Sequence, residues 1–354
     1  MTHTVNNVWG DTAPGGGVGW GLHVTAGAWM ATQLWAHYDF TRDRDWLQRE
    51  GYPLIKQTAQ FFCDYMVTDP ATGYLVSGPS ISPENTFRMA DGNVFCLSMM
   101  PTIDRAVIYD TYHACIEASR LLGVDADLRA RLEKDIQRLP PYKVGKDGAL
   151  MEWMLDVYRN EAAHRHASHL VALYPLGQIS PEKTPELARS CERFLDLQTK
   201  SGAWEDTEWT RGNMMNFYAR LKKGNEAYDA LKGLYRGFMR ENLMTVSPAG
   251  VAGAQEDIFS FDATEAAVSG TCEMLLQSYD GLLDFLPALP DAWATGSISG
   301  ICARGGIVAD MTWKNGRVTS VALKSTTTQR VTCRINGTLQ TLDLKAQQTK
   351  KIKL

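Results

Sequence analysis

Four short islands of this chain gather side chains that can do chemistry: "GPSISPENTF" (Gly78 to Phe87), "LMEWMLD" (Leu150 to Asp156), "HRHASHLVALYP" (His164 to Pro175) and "EDIFSFDATEAAVSG" (Glu256 to Gly270). Carboxylates on separate islands suit the cleavage of a glycosidic bond. That reaction needs a protonated acid for the leaving oxygen and a second carboxylate as base for water or as nucleophile. Glu152 stands between Met151 and Trp153, and an aromatic neighbour disfavours the charged form of a carboxyl. Asp262 follows Phe259 and Phe261 and opens a helical pattern, where backbone N–H groups and the helix dipole favour the ionised form. An acid kept neutral and a base kept charged is the required division of roles.

Plainer readings stand beside these. Asp262 also fits an N-cap, with Glu265 completing a capping box. The spacing His164-x-His166-x-x-His169 raises a metal site, with His166 and His169 on one helical face. Arg165 in their midst opposes a cation, and no acidic or Cys partner lies at ligand spacing, so no metal is expected; sugar-hydroxyl binding or a satisfied core fits better. The "PGGGVGWG" stretch lacks the strand-then-Lys setting of a phosphate loop and reads as a flexible turn. No Ser-centred nucleophile elbow is present.

The island "GPSISPENTF" is stiffened by Pro79 and Pro83 yet shows no helical or strand pattern, which suits a loop that holds polar groups still. Around it the signal is helical from about residue 21 to 285. Leu54, Ile55, Thr58, Phe61, Phe62 and Tyr65 form one apolar stripe. Leu187, Cys191, Phe194 and Leu195 form another, as do Val268, Cys272, Leu275 and Tyr279. Further helices are predicted near 23–39, 103–121, 125–137, 208–221 and 224–237. Long connections at 67–101, 139–163 and 240–261 carry Trp, Glu, Asp and His, which marks them as functional. After the Pro-rich "FLPALPDAW" the period becomes two, with hairpin signals at Asn315-Gly316 and Asn336-Gly337. Paired helices followed by strands predict a mainly α chain: an (α/α) toroid over residues 1–288 and a small antiparallel β-sandwich-like domain over 289–354.

The 354 residues include 44% hydrophobic and 21% charged side chains with a net charge of −4, which gives no basic surface for nucleic acid or an anionic membrane. No apolar run is long enough to span a bilayer, and no leader peptide is visible at the N-terminus, so localisation stays open. The seven cysteines are scattered, and Cys63, Cys115, Cys191 and Cys272 fall in helical patterns that predict buried thiols. Ten Trp and thirteen Tyr suit cores and also stacking on sugar rings, and Trp153 is a candidate ring of that kind.

In this order the islands resemble glycoside hydrolase family 95, mainly 1,2-α-L-fucosidases with some α-L-galactosidases. "GYLVSGPSISPENTF" is similar to the family's "GWLV..PS.SPEN.F", and "MMPTIDRAVIYD" to "..PTMD..I..D". "HRHASHLVALYPLGQIS" is similar to "HRH.SHL..LYPG.QI", and the closing "PALPDAWATGSISGICARGG" to its C-terminal signature. The resemblance implies an (α/α)6 barrel, a carbohydrate substrate, no cofactor, and inversion at the anomeric carbon with carboxyls about 6.5–9.5 Å apart. It implies Glu152 as general acid and Asp262 as general base, with Glu84, Asn85, Arg165 and His166 in segments that line the sugar subsite. Two departures bear on substrate and activity. Ala263-Thr264 replaces the family's Gly-Asn, and "MTVSPAGVAGAQED" replaces its His-Pro-Pro loop. The family also carries a β-domain, further barrel helices and an "NIN"-like asparagine pair ahead of the point where this sequence begins. An incomplete toroid implies a homodimer, a missing N-terminal segment or a sugar-binding fragment without turnover.

Overall fold

A computed structural model describes residues 18–354, apart from 163 and 203. The start of the glycine-rich turn, with everything before Val18, lies outside the described residues. The chain forms two compact units. One holds the chain up to Tyr38 and Asp43–Trp204; the other holds Asp39–Arg42 and Glu205–Leu354.

The first unit is built on helices. Helix α1 (Ala26–Thr41) is followed by α2 (Tyr52–Tyr65), which continues directly from a π-turn at Leu47–Gly51, and Pro53, which has no N–H to give the ladder, stands at that junction. Of the six residues of the expected stripe on α2, only Ile55 and Phe62 are buried. Ile55, Ala59 and Phe62 turn inward, while Leu54 and Phe61 are exposed, because the packing partner, α3 (Thr102–Leu122), covers one side. Helix α3 is buried nearly all round and ends at Gly123, whose φ of 75° is a conformation that favours glycine. The amides of Gly123 and Val124 both reach the Ser119 carbonyl. Beyond this turn, Asp125 accepts from Tyr52 Oη (2.7 Å) and Lys56 Nζ (2.7 Å), which ties α2 to the start of α4 (Ala126–Ile136). Helix α5 (Pro185–Lys200) buries Cys191, Phe194 and Leu195, as its stripe requires.

Near the start of α3, Asp104 is fully buried and accepts from Ser77 Oγ (2.6 Å) and Thr25 Oγ1 (2.9 Å); Thr25 also meets His23 Nε2 (2.8 Å). Burial pushes the Asp104 carboxyl up to about 6. A folded-state value above the unfolded one means that, between about pH 4 and 6, the folded chain keeps a proton the unfolded chain has released. Its stabilising contribution is therefore present at low pH and is lost as pH rises through 6. Asp104→Asn removes this loss. The variant should match wild type near pH 4 and exceed it by roughly 3 kcal/mol near pH 7, read from urea melts of both proteins at each pH. The paired comparison cancels His23, whose imidazole burial holds down to about 4.

The long connections carry short strand pairs. β1 (Val67–Thr68) pairs with β2 (Leu75–Val76), and β3 (Ser80–Ile81) pairs with Leu97–Ser98; Phe87–Arg88 lies between Val94–Phe95 and Tyr158–Arg159. The island expected to lack strands thus contributes paired residues at both ends. Pro79 and Pro83 fall outside the paired positions, where their missing N–H groups cost nothing.

In the second unit α6 (Glu208–Arg220), α7 (Gly224–Gly237) and α8 (Phe261–Leu275) pack on one another. A β-carbon on Gly212 of α6 would stand 2.8 Å from Ala266 Cβ and 3.4 Å from Ala263 Cα of α8, so this crossing needs glycine. The helix expected to run through Tyr279 stops at Leu275. Residues Leu276–Tyr279 and Leu282–Phe285 instead form a hairpin around Asp280-Gly281, both at positive φ (54° and 74°). This Asp-Gly turn signal overrides the helical spacing of Tyr279. The hairpins at Asn315-Gly316 and Asn336-Gly337 form as the sequence predicts, again with positive φ at both positions. The C-terminal strands make two four-stranded sheets. They share a core that includes Phe285, Trp313, Leu323 and Ile335. The Pro-rich segment links strand Leu282–Phe285 to Gly296–Ala303, and there Trp293 O accepts from Trp313 Nε1 (2.6 Å).

Cys115 and Cys191 are buried, whereas Cys63 and Cys272 are half-buried; all of the cysteines are free thiols. No described helix is long and apolar enough to cross a membrane.

Candidate active site

Glu152 sits on an extended segment pinned to the start of α3. Its carbonyl accepts from Thr102 N (2.9 Å), and the neighbouring Met151 carbonyl accepts from Thr102 Oγ1 (2.7 Å). The carboxylate is 4% exposed. Oε1 accepts from Ser82 Oγ (2.6 Å) and Asn85 Nδ2 (2.5 Å). Oε2 faces Arg159 Nε at 3.0 Å and His169 Nδ1 at 3.6 Å. The Arg159 approach is close enough for an ion pair but too oblique for a hydrogen bond, and among the described residues Oε2 has no hydrogen-bond partner. An isolated buried carboxylate is costly, and here the surrounding donors compensate.

Two loops are laced together around this group. Arg165 Nη2 donates to Glu84 Oε2 (2.8 Å), with His166 Nε2 3.8 Å from the same oxygen. Asn85 Nδ2 and Arg159 Nη2 both donate to the His166 carbonyl, at 3.3 and 2.8 Å. Ser168 Oγ donates to the Pro83 carbonyl. Burial, then the nearby Arg165, pushes the His166 imidazole down to about 3, so it is neutral near pH 7. Glu84, Asn85, Glu152, Arg165 and His166 are thus brought together within the first unit. Trp153 is buried with its ring against Phe87 (5.2 Å between centroids).

The histidine motif departs from the expected helical face. Only residues 168–172 are helical, as a 3-10 turn, so His166 lies outside it and His169 inside, fully buried. The cause is the lacing itself: His166 O is held by Asn85 and Arg159 and cannot serve a helical ladder. Among the described residues no group of three His, Cys, Asp or Glu is placed to hold a metal ion.

Asp262 belongs to the second unit. It is an exposed residue in the first turn of α8, flanked by the exposed rings of Phe259 and Phe261. The N-cap position is held by Ser260, with extended backbone, so the capping-box alternative for Asp262 and Glu265 does not hold. Ser260 Oγ lies 3.3 Å from Asp262 Oδ2. In the same unit Glu208 is buried at the start of α6: Oε1 accepts from Ser247 Oγ (2.5 Å), and Oε2 has no partner.

Ser82, Arg159 and Glu208 escape a reading of the sequence. Arg159 in "DVYRNE" and Glu208 in "DTEWT" lie in no recognisable pattern, while Ser82 lies inside the "SPEN" island beside the more conspicuous Glu84. His169 has a signal in the histidine spacing, but one that points to metal rather than to a carboxylate.

Comparison with known proteins divides the chain between residues 275 and 277, inside the second unit. The glycosyl hydrolase family 95 catalytic domain matches residues 1–275, and the glycoside hydrolase family 95 C-terminal domain matches residues 277–353. Alpha-L-fucosidase 2 of Arabidopsis thaliana is 33% identical over 339 residues, 92% of this chain and 39% of that protein. Probable alpha-fucosidase A of Aspergillus niger is 27% identical over 334 residues, covering 90% of this chain and 41% of its own length. The chain therefore spans about two fifths of these relatives. A solved structure described as a putative kojibiose phosphorylase from human microbiome shares the fold over 93% of this chain and 49% of its own, with a TM-score of 0.58 at 8% identity. With both of its parts matched, the chain belongs to glycosyl hydrolase family 95.

Proposed function

We propose that this chain serves the hydrolysis of terminal α-L-fucosyl or α-L-galactosyl residues of oligosaccharides with inversion at the anomeric carbon. Glu152 acts as general acid and Asp262 as general base. The observation that carries the reading is the Glu152 carboxyl: buried, with Oε1 filled by Ser82 and Asn85 and Oε2 left without a hydrogen-bond partner. A group held in one orientation with one oxygen available suits proton donation to a leaving oxygen. Glu84 with Arg165, and His166 kept neutral, form a polar wall that suits recognition of sugar hydroxyls. The helices are proposed to belong to a ring of the (α/α)6 type.

The test is the first-formed product. ¹H NMR during turnover of an aryl α-L-fucoside or α-L-galactoside should show the β-anomer before mutarotation. An α-anomer first would overturn inversion, and cleavage of neither substrate by a preparation that turns over another glycoside would overturn the substrate class.

A second reading is favoured by the 39% and 41% coverage of the relatives: a chain that binds sugar but needs a partner segment for turnover. Sedimentation with activity distinguishes the two, since a monomer with turnover rejects the second.

A further inference from the structure

Resting on the reading of Glu152 as the acid, we propose that His169 is a positioning residue for it, with the imidazole Nδ1 holding the Oε2 oxygen from which the proton leaves. Oε1 already accepts two hydrogen bonds, from Ser82 and Asn85, so the proton of the acid form belongs on Oε2. The charged and titratable neighbours of Oε2 are Arg159 Nε at 3.0 Å and His169 Nδ1 at 3.6 Å. Arg159 can only donate, whereas a neutral imidazole donates from one nitrogen and accepts at the other. His169 is 0% exposed, and among the described residues neither of its ring nitrogens has a hydrogen-bond partner. A buried imidazole left entirely unsatisfied needs an explanation. Phe194 stacks edge-on against the ring (4.4 Å, 89°), so the imidazole is held facing the carboxyl.

Burial, reinforced by Arg159, keeps His169 well below the ordinary histidine value, so the ring is neutral at working pH. With Glu152 ionised, Nδ1–H donates to Oε2. With Glu152 protonated, Oε2 accepts the same Nδ1–H through its remaining lone pair, and its own proton is left to face the leaving oxygen. Either way the closing of a gap of a few tenths of an ångström fixes the carboxyl against the leaving oxygen. Both residues line a cavity of about 370 Å³, along which the other charged side chains are Lys146, Asp147, Asp156 and Arg159.

The test uses three variants of the full chain. Asparagine places its amide where Nδ1 sits, glutamine where Nε2 sits, and phenylalanine keeps the ring without either nitrogen. On a phenyl α-L-fucoside, whose departure needs a proton, His169→Phe and His169→Gln should lose about 10- to 100-fold in kcat at unchanged KM, and His169→Asn should stay within about threefold. On the 2-chloro-4-nitrophenyl fucoside, which leaves without help, the losses should nearly vanish. Equal losses for all three variants on both substrates would mean packing alone and overturn the proposal. Glu152→Gln serves as the reference. If it shows no leaving-group dependence, the acid reading itself fails; if it does and His169→Phe does not, only the role of His169 fails. ¹⁵N NMR of labelled imidazoles reads the contact without turnover: Glu152→Gln should move the His169 Nδ1 resonance, and an unmoved resonance overturns the contact.

Discussion

Glu152→Gln is expected to lower kcat on an aryl α-L-fucoside with a poor leaving group by about 10²–10⁴-fold, the usual contribution of a positioned general acid. Glutamine keeps an acceptor for Ser82 and Asn85 and the same volume, so the loops around residues 82–85 and 164–169 stay laced. What it lacks is a proton to give. The loss should therefore shrink as the leaving group improves, and plotting log kcat against leaving-group pKa for wild type and variant checks this. Parallel lines would place Glu152 among residues that hold the fold rather than among those that touch the reacting bond.

Asp262→Asn should cost at least about 10²-fold in kcat with every leaving group, because a base for water is needed whatever departs. Asp262 is exposed, is not the N-cap of α8, and among the described residues its carboxylate accepts from Ser260 Oγ, so stability should change by less than about 1 kcal/mol, the scale of a charge in a first helical turn. Asp262→Gly makes a sharper version. Azide is already an anion and needs no base, so adding it should restore turnover and yield the β-glycosyl azide. Unchanged turnover in Asp262→Asn, or an α-azide from the glycine variant, defeats the assignment.

Much of the scaffold is legible in the sequence because its signals are local. The apolar spacing of α5, the glycine that ends α3 and the capping Thr207 of α6 lie within or beside each helix, and the Asn-Gly hairpins declare themselves in two residues. The error at Tyr279 is of the same local kind, since Asp280-Gly281 is a turn signal as plain as the others and outweighs one more apolar residue at helical spacing. The interior of the site is different. Ser82 and Asn85 meet Glu152 across separations of 70 and 67 residues, and Arg165 meets Glu84 across 81. No periodicity connects such positions. Glu84, Asn85, Arg165 and His166 stand in islands that their chemistry singles out, but only the motif resemblance assigns them to one subsite, and Arg159 and Ser82, which complete the donor set, are assigned by neither. The histidine triplet shows the limit from the other side: spacing alone suggests a shared helical face, but hydrogen bonds from distant loops at the His166 carbonyl decide the backbone.

The contact at Gly212 gives the second unit a lever. Asp262 lies on the first turn of α8, close to the fulcrum set by Ala263 and Ala266, and a residue bulkier than hydrogen at position 212 would force the two helix axes to splay. Ordinary contact lies at 3.4–4 Å, so relieving the 2.8 Å approach parts the helices by roughly 1 Å, and Asp262, one residue from Ala263, moves with that part of α8. A displacement of that size can cost 10²-fold in rate, about as much as losing a catalytic proton. The bearing of the carboxylate is thus governed from a position that bears no functional group at all.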